Sequence, residues 1–175
     1  RFRIRVQQAD AAAIERLFLP VLARERGFLA RTLRLSGKAV PEWFAERKLE
    51  GVISVNTLEA AGFRFRVDAA RVTWKGTSIS VTGIDAVAQG GAVLSGDLAV
   101  DLSGRAPKYN FEGKLNAVRY KGGDIGLQGT VEATGVGAAL LSSLRAEGTL
   151  QGRAIGFSED AVFRAVAGRF VLTMP

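Results

Sequence analysis

The chain contains no cysteine and no histidine, one methionine and four prolines in 175 residues. Without histidine there is no imidazole base, no Ser–His or Cys–His nucleophile and no member of the commonest class of zinc ligand. Without cysteine there are no disulfides, no thiolate chemistry and no iron–sulfur cluster; that absence leaves the redox compartment open. No apolar run approaches the ~18 residues that a membrane-spanning helix needs, and the nearest, residues 11–23, is broken by Glu15, Arg16 and Pro20. What chemistry remains is confined to carboxylates, lysine and serine. The first residue is Arg1 rather than Met, so the chain is expected to be a segment or processed product of a longer protein, with any signal or anchor upstream of it.

An apolar fraction of 47% suits a folded domain. The net charge of +7 is largely arginine, 18 of the 24 basic residues. Arginine is dense at residues 1–5 and 16–34 and then scattered among acids. The basic residues are not interleaved with a platform of aromatics, so no nucleic-acid partner is expected.

Hydrophobic periodicity divides the chain near residue 46. Phe2, Ile4 and Val6 alternate with Arg3 and Arg5 as in a strand. Asp10 is placed to cap a helix, and Ile14, Leu17, Phe18, Val21, Leu22, Phe28 and Leu29 recur at helical steps. Pro20 and Gly27 predict a bend, giving a bent amphipathic helix from about Ala11 to Leu33. A second short helix is predicted near Pro41, carrying Trp43 and Phe44. Residues 1–46 thus read as a short strand plus a helical cap, and residues 47–175 as a β region.

From Leu49 the period is two. Phe63, Phe65 and Val67 alternate with Arg64, Arg66 and Asp68; Leu94, Leu98, Val100 and Leu102 with Ser95, Asp97 and Asp101. Tyr109, Phe111 and Leu115 alternate with Asn110, Glu112 and Lys114; Ile125, Leu127 and Val131 with Gln128, Thr130 and Glu132; Val166, Phe170 and Leu172 with Arg169 and Thr173. Turns are expected at Lys75-Gly76, Gly90-Gly91, Ser103-Gly104 and Gly122-Gly123. The fold class that follows is mainly β: a curved antiparallel meander, an open groove or half-barrel, with one apolar and one polar face.

A finer repeat, apolar-x-Gly-x-apolar, occurs at Leu49-Gly51-Ile53, Leu94-Gly96-Leu98, Phe111-Gly113-Leu115, Leu127-Gly129-Val131 and Ala146-Gly148-Leu150. Each glycine falls in mid-strand on the apolar face, where it costs about 0.5–1 kcal/mol relative to alanine. A row of them across neighbouring strands would curl the sheet; the other reading is room for a large neighbouring side chain.

Catalytic candidates fail one by one. Gly135-Val136-Gly137-Ala138-Ala139-Leu140 invites a dinucleotide reading, but it ends in Leu140 and lies among antiparallel strands, so no cofactor is expected. Asp97 and Asp101, four residues apart on one strand face, are separated by roughly 13 Å, beyond the reach of paired glycosidase carboxylates, and read as solvated charges. Glu159-Asp160 is weak metal evidence. Ser142-Ser143 has no base, and Lys38 and Lys121 have no motif. No enzyme is expected.

The region from about Arg47 to Arg153 resembles the C-terminal region of AsmA-family proteins. The likeness is carried by residues 90–98 (GGAVLSGDL), Pro107-Lys108-Tyr109, Tyr120-Lys121-Gly122-Gly123 and residues 135–150 (GVGAALLSSLRAEGTL), with Leu17-Phe18-Leu19-Pro20 and Gly27-Phe28-Leu29 upstream. The resemblance implies a periplasmic protein of the Gram-negative envelope, anchored in the inner membrane by a helix outside this segment. It also implies kinship with TamB-like proteins, an elongated β-groove carrying phospholipid towards the outer membrane, an association with outer-membrane assembly, and no catalytic residue. The expected partners are a phospholipid or other acyl lipid and envelope proteins not identifiable from sequence. On the residue reading, Phe63, Phe65, Val67, Leu94, Leu98, Phe111, Leu115, Ile125, Leu127, Val131 and Leu150 line an apolar face that shields acyl chains, while arginine at the open side meets head-group phosphate. The alternative is a scaffolding β-domain whose apolar face is sealed by the N-terminal helix. A segment of outer-membrane barrel is disfavoured by the lack of aromatic girdles.

Overall fold

The computed structural model describes residues 1–14, 16, 46–60, 63–104, 106–120, 122–158 and 161–173. Nine strands account for most of them: β1 (Phe2–Asp10), β2 (Lys48–Ala60), β3 (Phe63–Lys75), β4 (Ser78–Ala88), β5 (Val93–Asp101), β6 (Lys108–Tyr120), β7 (Gly123–Thr134), β8 (Arg145–Ser158) and β9 (Ala161–Thr173). A short helix, α1 (Ala138–Ser142), lies in the β7–β8 connection. All nine strands form one sheet whose spatial order is the sequence order, with β1 and β9 at its edges and no closure into a barrel.

The mainly β class expected from the period-two pattern is present, with one difference in strand direction. From β2 to β9 every pair is antiparallel. β1 instead runs parallel to β2, Phe2 facing Gly51 and Val6 facing Val55. A parallel neighbour needs a long crossover, and 37 residues separate the end of β1 at Asp10 from the start of β2 at Lys48. The sheet is therefore mixed.

At the exit of β1 the Asp10 carboxylate accepts a hydrogen bond from the Ala12 amide (2.8 Å), as an N-cap should, and residues 11–14 and 16 are helical. The remainder of the predicted bent helix, and the second helix with Trp43 and Phe44, lie outside the described residues.

The alternation is interrupted by β-bulges, and those in β2, β3, β4 and β6 keep the apolar residues on one face. Asn56 and Thr57 stand against Arg66, so Leu58 takes the face of Val55; Asp68 and Ala69 stand against Ser54, so Ala70 takes the face of Val67. Thr82 and Gly83 stand against Asp97, which restores Ile84 to the face of Val81. Asn116 and Ala117 stand against Gly126, which restores Val118 to the face of Leu115. The last two bulges each need a left-handed residue, Gly83 (φ 63°) and Ala117 (φ 58°).

Burial is thin, as a single layer of sheet dictates. The buried apolar residues among those described are Val55, Ala70, Ala86, Leu102, Ala133 and Ala146. Leu102, 3% exposed, packs on Trp74, Ile79 and Val100, and the Trp74 indole N–H donates to the Gly76 carbonyl (2.7 Å). These contacts close one corner of the apolar face at the β3–β4 and β5–β6 turns.

Candidate functional site: an apolar face across nine strands

Directly opposed residues in a sheet share a face, so the register alone assembles the site. One lateral row runs Phe2, Gly51, Val72, Val81, Leu98, Phe111, Val131, Ala146, Leu172, one residue from each strand. A second runs Val6, Val55, Val67, Ala86, Leu94, Leu115, Leu127, Leu150, Gly168. Between them lie Ile4, Ile53 and Ala70 on β1–β3, and Ile84, Gly96, Gly113, Gly129, Gly148 and Phe170 on β4–β9. The strip is three rows deep and nine strands wide, roughly 38 Å at the usual strand spacing, and carries no polar side chain.

Eight of the eleven residues singled out in the sequence stand in these rows. The other three continue the same face towards the β2–β3 and β6–β7 turns: Phe63 faces Ala60, Phe65 faces Leu58 and Ala88, and Ile125 faces Val118 and Gly152. None of the eleven is buried: ten are half-buried, and Phe63 is 63% exposed. The Phe63 and Phe65 rings lie 6.3 Å apart, tilted by 48°. Sequence reasoning missed the contribution of β4 and of the second half of β3, namely Ala70, Val72, Trp74, Ile79, Val81, Ile84 and Ala86. Their signal is a step of three between apolar residues, Val67 to Ala70 and Val81 to Ile84, which breaks a period-two search and marks a bulge.

Four of the five repeat glycines form one continuous line across β5–β8: Gly96 faces Gly113, Gly113 faces Gly129, and Gly129 faces Gly148. Gly51 falls in the neighbouring row, opposite Val72. The reading of room for a large neighbouring side chain finds a structural counterpart at Gly51, Gly96 and Gly113. A β-carbon on Gly129 or Gly148 would lie 2.8 Å from the other's Cα and run into the backbone of Glu147 or Gln128. One on Gly96 or Gly113 would additionally meet the Phe111 ring, at 2.8 and 2.6 Å, and one on Gly51 would meet the Phe2 ring at 2.5 Å. Glycine is thus required twice over, by the approach of neighbouring backbones and by the rings that lie over the line.

The opposite face is polar, and its candidates take structural parts. Asp97 is not merely a solvated charge: its Oδ1 accepts from the Gly83 amide (2.7 Å) and pins the β4 bulge. Asp101 accepts from Ser103 through both amide and hydroxyl, and these bonds hold its carboxyl below the usual carboxylate range. The Ser143 hydroxyl accepts from the Thr134 amide and donates to the Thr134 carbonyl, both at 2.7 Å, so it ties down the β7–β8 connection. The Gly135–Leu140 stretch leads from a turn into the short α1, between two antiparallel strands. Glu159, Asp160, Lys38 and Lys121 lie outside the described residues. An open depression of about 350 Å³ between β2, β3 and β4 is lined by Asn56, Thr57, Arg64, Phe65, Arg66, Val87, Ala88 and Gln89. Its two guanidiniums are already engaged, Arg64 by Glu59 (3.0 Å) and Arg66 by Asp68 (2.9 Å). Among the described residues no group of His, Cys, Asp or Glu could hold a metal ion, and no helix is long and apolar enough to cross a membrane.

The arrangement offers apolar contact over a wide area. No protein-family model, curated protein or solved structure matches the chain.

Proposed function

We propose that this chain is a segment of an AsmA-like periplasmic protein that shields lipid acyl chains on its apolar β-face, in phospholipid transport to, or homeostasis of, the outer membrane. In this reading the chain is not an enzyme, and the whole protein is held in the inner membrane of a Gram-negative cell by an anchor outside this segment. The observation that carries the proposal is the uninterrupted apolar strip across nine strands, in which Val55, Ala70, Ala86 and Ala146 are buried but the eight candidate lining residues that stand in it are not. A protein that folds only to make a core buries such residues. An acyl chain laid on the strip gains about 0.8 kcal/mol for each methylene withdrawn from water.

Curvature towards this face turns the strip into a groove. It is supported by the glycine line, where β-carbons would converge on neighbouring backbones, and by bulges in four strands, each of which bends its strand and increases local twist. Lipid selectivity is weak, because the lining offers shape and apolarity rather than hydrogen bonds. Head groups stay at the open side within reach of arginine.

Mass spectrometry of an organic extract of the purified chain tests this reading. Phospholipid near one or more molecules per chain is expected. Lipid-free protein whose apolar face is protected from water would instead favour the scaffolding alternative.

A further inference from the structure

We propose that the end of the sheet carrying the β7–β8 connection docks on an anionic lipid surface, with α1 as the inserted tip and a lysine row as its electrostatic partner. This inference is independent of whether the apolar face holds lipid. In a chain with 23% charged residues, residues 134–144 contain none. Ala138, Ala139 and Leu141 are exposed, Leu141 to 60%, and α1 buries no residue. An apolar, uncharged protrusion of this kind enters the head-group region of a bilayer without burying a charge.

Charge at the same end supplies the partner's sign. The register makes a lateral row from Lys48 through Lys75, Ser78, Asp101 and Lys108 to Thr134, where the tip begins. Lys48 stands directly opposite Lys75, both are exposed, and neither forms an ion pair among the described residues. Like charges opposed across a strand pair repel, and an anionic surface converts that repulsion into attraction. At the other end Arg64 pairs with Glu59 and Arg119 with Asp124 (3.6 Å); at this end Arg1 pairs with Glu50 (3.9 Å) and Lys108 faces Asp101, which leaves the opposed Lys48 and Lys75 as the lysines without an acidic partner among the described residues. Lys48 and Lys75 therefore stand at the same end of the sheet as the apolar tip, four to five strands from it along the row.

The test is cosedimentation of the 175-residue chain with phosphatidylcholine vesicles, with and without phosphatidylglycerol, alongside circular dichroism of every variant. The wild type should bind only the anionic vesicles, and salt should weaken it. Leu141→Asp, or the milder Leu141→Gln, should cut binding about tenfold, and Lys48→Glu with Lys75→Glu at least about fivefold per lysine. Gln89→Asp, at the opposite end, should leave binding unchanged. No binding by the wild type, equal binding to both vesicles, folded Leu141 variants that bind as the wild type does, or equal loss on Gln89→Asp would each overturn the proposal. Lipid extracted with the purified chain is a separate readout, so failure of docking and failure of the acyl-binding reading are distinguishable.

Discussion

Gly129 and Gly148 face one another across β7 and β8 so closely that a β-carbon on either would sit 2.8 Å from the other's Cα. Real β-carbons do not come so near, so these positions are closed to every other residue type unless the strands move apart. Gly129→Ala and Gly148→Ala should each destabilise the chain by about 1–3 kcal/mol, the usual range for overpacking. Gly168→Ala, where an added β-carbon has nothing within 4 Å, should instead gain about 0.4–1 kcal/mol from the unfolded state. Thermal or urea unfolding of the three variants checks the contrast; equal effects would mean that the glycine line is incidental.

Ala117 occupies left-handed backbone at the β6 bulge, a conformation that costs an L-residue roughly 1–2 kcal/mol. Ala117→Gly should therefore stabilise the chain by up to about 1 kcal/mol, although glycine is ordinarily unfavourable in a strand. A lower unfolding midpoint for this variant would contradict the bulge geometry.

Asp97 holds the Gly83 amide across β4 and β5, and that bulge brings Val81 and Ile84 to one face. Asp97→Ala should cost about 1.5 kcal/mol, the low end of the usual range for a hydrogen bond to a charged group, because this bond is exposed. It should also raise amide exchange at Gly83, Ile84 and Asp85 before it affects β7 or β8. Hydrogen exchange read by NMR resolves the two regions.

Asp101 carries a pH dependence of known sign. Its folded pKa is depressed, first by the Ser103 hydroxyl and then by the Ser103 amide. The unfolded chain therefore binds more protons as pH falls. The stabilisation is present above the unfolded carboxylate value of about 3.9 and is lost as pH falls through the lower folded value. Ser103→Ala should lower stability at neutral pH and converge on the wild type in acid. A difference between the two that does not vary with pH would refute this assignment.

The fold was legible where the period-two pattern ran unbroken. On β5, β6 and β7 the alternation of Leu94, Leu98, Phe111, Leu115, Leu127 and Val131 with charged neighbours identified both the strands and the face. The even spacing of Gly96, Gly113, Gly129 and Gly148 foreshadowed their alignment, because hairpins of nearly equal length bring equivalent positions side by side. β4 was obscured because its bulge at Thr82 and Gly83 shifts the period midway, splitting Ile79 and Val81 from Ile84 and Ala86. The parallel β1–β2 pair was not readable either, since the alternation of Phe2, Ile4 and Val6 fixes a face but not a direction. Direction is set by where the crossover returns the chain, which no local pattern encodes.

In the proposed reading the strip is open to lipid rather than sealed as a core. Its most direct test measures bound phospholipid per chain together with the thermal midpoint for Leu98→Asp, Phe111→Asp, Leu115→Asp and Leu127→Asp. The polar-face changes Glu112→Lys, Lys114→Asp and Gln128→Asp serve as comparison. An open face admits a charge cheaply, whereas a closed core leaves an unpaired ion that costs several kcal/mol. An open strip predicts folded apolar-face variants that have lost lipid, beside polar-face variants that keep it. Apolar-face variants that unfold outright, or that fold and still hold lipid, would contradict it.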